Sequence, residues 1–89
     1  MLEKELRVTN KLGLHARPSA LLAKTAQQFT SAITISHAGR TVDAKSILNL
    51  MTLALPLDSV FTLRVDGGDE QAAFEAIKDL FANRFGESE

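Results

Sequence analysis

The chain has 89 residues, 45% of them hydrophobic, with ten basic against eleven acidic side chains and a formal net charge of −1. That balance excludes a global attraction to nucleic acid or to an anionic membrane. Cysteine is absent, which removes disulfide frameworks and thiolate metal sites, and two histidines, His15 and His37, do not by themselves make a zinc site.

The amino terminus, MLEKELRV, is charged and lacks the apolar centre of a secretory signal. No apolar run approaches the ~20 residues that span a bilayer, so no direct membrane insertion is expected. These features predict a cytoplasmic monomer folded as one compact domain over residues 1–89, with a radius of gyration of roughly 12 Å.

Leu2, Leu6 and Val8 alternate with Glu3, Glu5 and Arg7, which predicts a strand with one wet face; Lys4 is the exception. After NKLG the period changes. Leu22, Ala26 and Phe29, supported by Ala20 and Ala23, recur at helical spacing, and Pro18 suits a first helical turn. The first helix is therefore expected to begin near Ala16, with His15 at its edge. Ile33 and Ile35 mark a second strand, HAGR a turn, and Val42 with Ala44 a third strand closing a hairpin.

KSILNLMTLAL returns to helical spacing through Ile47, Leu50, Met51 and Ala54, with Ser46 in the N-cap position and PLDS as the breaker. Phe61, Leu63 and Val65 alternate as a fourth strand. Gly67-Gly68 reads as turn chemistry, Asp69 as a cap, and Phe74, Ile77, Leu80, Phe81 and Phe85 as the stripe of a third helix. The order β-α-β-β-α-β-α predicts an α+β open-faced β-sandwich: a four-stranded antiparallel sheet covered on one face by three helices.

The stretch GLHARP places an imidazole where a helix begins. A helix start presents unpaired N–H groups and partial positive charge, a natural seat for phosphate. His15 at that edge can become the phosphate's covalent attachment point, while Ala16, Arg17 and Pro18 form the cradle. Arg17 adds a planar cationic fork suited to phosphoryl oxygens. Gly13 lets the preceding loop bend, and Pro18 fixes the first turn. An inert helix-start histidine is the competing reading of the same residues.

At this point the chain resembles a known family, the HPr proteins, histidine-containing phosphocarriers of the bacterial phosphoenolpyruvate-dependent phosphotransferase system. NKLGLHARPSA is similar to the family's active-site segment and KSILNLM to its regulatory segment, and the likeness covers essentially the whole chain. The resemblance implies that His15 accepts phosphate on Nδ1 from phosphorylated enzyme I, with phosphoenolpyruvate as ultimate donor. His15 then passes the group to a histidine or cysteine of a sugar-specific enzyme II component, such as an enzyme IIA. Arg17 matches the phosphate-stabilising arginine. The chain would be a covalent intermediate between enzymes, not a free-standing enzyme, and would hold no metal or organic cofactor.

Ser46 matches a regulatory phosphorylation site for an HPr kinase/phosphorylase; a helix N-cap is its purely structural alternative. The second helix carries apolar residues on more than one face, so Ile47, Leu48 and Met51 are expected to stay exposed near the His15 loop. The resemblance assigns them a docking role, rimmed by Arg17, Lys24, Lys45 and Lys11. Two departures stand out: Ser19 where alanine is common, and ALPLDS in place of a glycine-containing exit from the second helix. His37 is expected to be exposed and inert.

Two other functions fit parts of the pattern. One is the paralogous carrier of the nitrogen-related phosphotransferase branch, which shares the His15 chemistry but has regulatory outputs. The other is a regulatory binding protein that carries no phosphate on histidine, for which an intact His15–Arg17 pair is not required. A hydrolase fits poorly, because no second general acid or base lies near His15 in sequence.

Overall fold

The structure, a computed structural model, describes residues 1–86. Its elements are β1 (Leu2–Arg7), α1 (Ala16–Ala26), β2 (Ala32–His37), β3 (Arg40–Asp43), α2 (Ile47–Leu53), β4 (Val60–Asp66) and α3 (Glu70–Ala82). A short 3-10 turn, Arg84–Gly86, follows. The four strands form one antiparallel sheet in the order β1-β4-β2-β3, and the helices cover one face, an open-faced sandwich. The Cα radius of gyration is 11.5 Å.

Alternation explains the strands. In β4, Phe61, Leu63 and Val65 are buried while Val60, Arg64 and Asp66 are exposed. The register sets Leu2 opposite Val65 and Leu6 opposite Phe61, which gathers the apolar sides of β1 and β4 under the helices. Ile33 and Ile35 extend that layer from β2. The opposite face carries polar pairs, among them Arg64, whose guanidinium forks onto Glu3 Oε1 at 2.7 and 2.9 Å.

The core closes around aromatic rings. Phe61 and Phe81 lie 4.7 Å apart between centroids, and Phe81 meets Phe85 edge-on at 4.8 Å. Phe85 reaches the core by a route that periodicity did not indicate. It lies beyond α3, with φ of 54°, inside a turn whose three successive residues Arg84, Phe85 and Gly86 all have positive φ. The stripe is therefore spatially right but not one helix.

Asp69 also departs from expectation. It occupies the N-cap position of α3 but makes no side-chain cap bond. Its carboxylate instead accepts from the Thr30 and Ser31 amides, at 2.8 and 2.9 Å, and from the Ser31 hydroxyl. The side chain thus joins α3 to the turn before β2. His37 is half-buried, its Nδ1–H donating to the Val60 carbonyl at 3.1 Å, so it fastens the hairpin to β4 and is not a bare surface residue. In α1, Ala20 is exposed, and Phe29 lies past the C-cap Gln27.

Candidate functional site

The loop between β1 and α1 is clamped onto the segment that follows α2. Val8 N–H donates to Ser59 O and Asp58 N–H to Val8 O, both at 2.9 Å, and Leu14 N–H donates to Leu55 O at 2.7 Å. The buried Asn10 amide group donates to Gly13 O at 2.6 Å. Gly13 has φ of +70°, and a Cβ there would lie 2.3 Å from Leu55 O and 2.9 Å from Pro56 Cα. Only glycine permits this backbone approach.

That clamp delivers His15 to the start of α1. His15 is the N-cap, extended at φ −86° and ψ −165°, and its carbonyl accepts the first intrahelical bond, from Ser19 N–H at 2.9 Å. The amides of Ala16 and Arg17 precede that bond and have no carbonyl one turn back within the helix. Pro18 is buried and has no N–H to satisfy. Ser19, fully buried, donates its hydroxyl to Leu14 O at 3.3 Å, a tie between loop and helix that alanine would not make.

His15 is half-buried and borders an open hollow of about 330 Å³. Ala16, Leu12 and Leu14 line it beside His15, and Met51, Ala54, Leu55 and Pro56 line it from α2 and its exit. Arg17 begins beside His15, but its guanidinium Nη2 donates to the Phe85 carbonyl at 2.8 Å. The arginine thus bridges α1 and the turn after α3.

Ser46 is the N-cap of α2, its hydroxyl accepting from Asn49 N–H at 3.2 Å. The helix buries Leu50 and Leu53 and leaves Ile47, Leu48 and Met51 at 43%, 73% and 45% exposure. The helically spaced set Ile47, Met51 and Ala54 is thus the outward stripe. Leu12, 71% exposed, adds to the same apolar surface. Sequence reasoning missed it, although an apolar residue between Lys11 and Gly13 with no periodic role was the available signal. Lys24 is exposed on the last turn of α1. Lys45 is half-buried and spends its ammonium on Phe29 O at 2.8 Å.

α2 ends at Leu53, with Ala54 as C-cap in the left-handed region at φ 51° and ψ 55°. An alanine therefore takes the conformation for which glycine is the usual residue. Among the described residues, no helix is long and apolar enough to cross a membrane.

Together these features define a small open-faced sandwich that presents one histidine, at a helix start, beside an apolar surface. The family model described as "PTS HPr component phosphorylation site" matches residues 2–83. The chain belongs to that family, the HPr phosphocarriers of the phosphotransferase system. It is 53% identical over 87 residues to the phosphocarrier protein HPr of Xylella fastidiosa strain Temecula1, covering 98% of both chains. It is 52% identical over 89 residues to the HPr of Cupriavidus necator, covering 100% of both. The crystal structure of HPr-C-His from Thermoanaerobacter tengcongensis superposes with a TM-score of 0.95, at 40% identity and full coverage of both chains.

Proposed function

We propose that this chain relays a phosphoryl group on His15 Nδ1 within the sugar-transporting phosphotransferase system. Phosphorylated enzyme I donates, and an enzyme IIA accepts. In the first step the Nδ1 lone pair attacks phosphorus, the new N–P bond forms, and the donor's bond to phosphorus breaks with its electron pair returning to the donor. The second step repeats this displacement, with His15 as leaving group. The single observation that carries the reading is the placement of His15: half-buried at the N-cap of α1, on the wall of an open hollow.

The Ala16 and Arg17 amides and the α1 dipole stabilise charge on the transferred group. The Arg17 fork adds a charge-assisted contact when it turns from Phe85 O to the phosphoryl oxygens. Transfer then depends on alignment and charge stabilisation between two docked proteins. Ile47, Leu48 and Met51, with Leu12, form the apolar docking surface, and Lys24 and Lys45 lie among the flanking cations. Ser46 is the site for an HPr kinase/phosphorylase. A phosphoserine there adds about −1.5 to −2 charges at a helix start while repelling acidic partners. The domain acts as a monomer in the cytoplasm.

Incubation with phosphoenolpyruvate and enzyme I, followed by mass spectrometry, tests the relay. One acid-labile phosphoryl addition is expected on His15, lost in His15→Ala. An unchanged mass in the presence of an active donor enzyme rejects it. Running enzyme I of the nitrogen-related branch in parallel assigns the branch by the faster reaction.

A further inference from the structure

α2 is only seven residues long and has no basic side chain in its last turn. Its closing bond, Ala54 N–H to Leu50 O, is long at 3.4 Å, and Ala54 itself sits in the left-handed region. A short helix ending on a non-glycine residue in that region needs outside support for its last carbonyls.

The support comes from the β2–β3 hairpin. Arg40 Nη1 donates to the Thr52 carbonyl at 2.7 Å and Nη2 to the Thr52 hydroxyl at 3.2 Å. That hydroxyl in turn donates to Asn49 O at 2.7 Å. One guanidinium therefore satisfies a terminal carbonyl, fixes a hydroxyl that bonds back to Asn49 O, and places positive charge at the negative end of the helix. The next links are short. Ala54 leads to Leu55, whose carbonyl accepts Leu14 N–H at 2.7 Å, and Leu14 is bonded to His15. Ala54, Leu55 and Pro56 are also the far wall of the hollow beside the imidazole.

We infer that Arg40 is a positioning residue for the His15 site, acting through the exit of α2. The kinetic arm of its test rests on the carrier reading; the exchange arm does not. Amide hydrogen exchange by NMR is compared in the wild-type chain, Arg40→Ala, Arg40→Lys, and Arg40→Ala with Ala54→Gly. Arg40→Ala is expected to lower protection of the Leu14 and Ala54 amides by about tenfold relative to Ile35 in the central strand β2. Lysine, a single charge without a fork, restores part of it. Ala54→Gly, which removes the left-handed penalty, restores most of it.

In phosphoryl transfer from enzyme I, Arg40→Ala is expected to raise KM by roughly threefold or more with kcat changed less than about twofold. Unchanged protection at Leu14, an equal loss at Leu14 and Ile35, no rescue by Ala54→Gly, or a fall confined to kcat overturns the inference. If the exchange results hold but no enzyme I phosphorylates the wild-type chain, the carrier reading fails and the positioning role stands.

Discussion

Arg17 and Phe85, 68 residues apart in sequence, are joined by a 2.8 Å hydrogen bond from the guanidinium to the backbone carbonyl. The bond links the helix that begins at the candidate phosphate site to the left-handed turn that buries Phe85 against Phe81. The bond ties the Arg17 guanidinium, two residues from His15 in sequence, to the turn after α3. Charge-assisted bonds contribute on the order of 1.5–3 kcal/mol. Arg17→Ala is therefore expected to lower the efficiency of phosphoryl transfer by about 10- to 100-fold, measured as kcat/KM with phosphorylated enzyme I.

Gly13 is held under Leu55 O with φ of +70°. Gly13→Ala combines a left-handed alanine with a Cβ inside contact distance of backbone that is itself hydrogen-bonded to Leu14. A loss of about 2–4 kcal/mol is expected in urea unfolding. The Leu14–Leu55 bond should be the first to lose exchange protection.

Leu48 is the most exposed large side chain of α2, at 73%. Leu48→Glu should change stability by no more than about 0.5 kcal/mol, because nothing packed is removed. On the proposed docking role, binding to enzyme I, followed by calorimetry, should weaken by about tenfold or more, because the substitution puts a charge where an apolar side chain would be buried.

Ser46 caps α2 through its hydroxyl. Ser46→Ala is expected to cost about 1 kcal/mol in thermal or urea unfolding. Ser46→Asp keeps an acceptor and adds negative charge to a first turn without acidic residues, so its stability should stay within about 0.5 kcal/mol of wild type.

Asp69 is pulled down from 3.8 to about 2, chiefly by the Ser31 hydroxyl and then by the Thr30 amide. A carboxylate with a depressed folded-state pKa stabilises the fold above its unfolded value and loses that contribution as pH falls through the folded one. Wild-type stability should therefore drop between about pH 4 and pH 2. The drop should be shallower in Asp69→Asn, checked by urea midpoints across that range.

Much of this molecule was legible in its amino-acid order because the decisive signals are local. Alternation at Phe61, Leu63 and Val65 needs no partner to announce a strand, and an imidazole two residues before an arginine and three before a proline announces a helix start. Ser46 as a cap was readable for the same reason. The exposed apolar stripe of α2 was half-readable. Composition showed that α2 had too many apolar faces to bury, but periodicity grouped Leu50 with Ile47 and Met51, and only packing separated the buried residue from the exposed ones.

The sequence by itself determined which segments are strands and helices, and that His15 stands at the amino end of the first helix. Those are properties of neighbouring residues and their spacing. Tertiary structure alone decided that β4 lies between β1 and β2, that Asp69 bonds the Thr30–Ser31 turn instead of its own helix, and that Arg17 and Arg40 reach Phe85 and Thr52. Each of those pairings chooses among many polar groups with similar local signals, and the choice is made only when the apolar faces close on one another and bring remote backbone carbonyls and amides within hydrogen-bonding range.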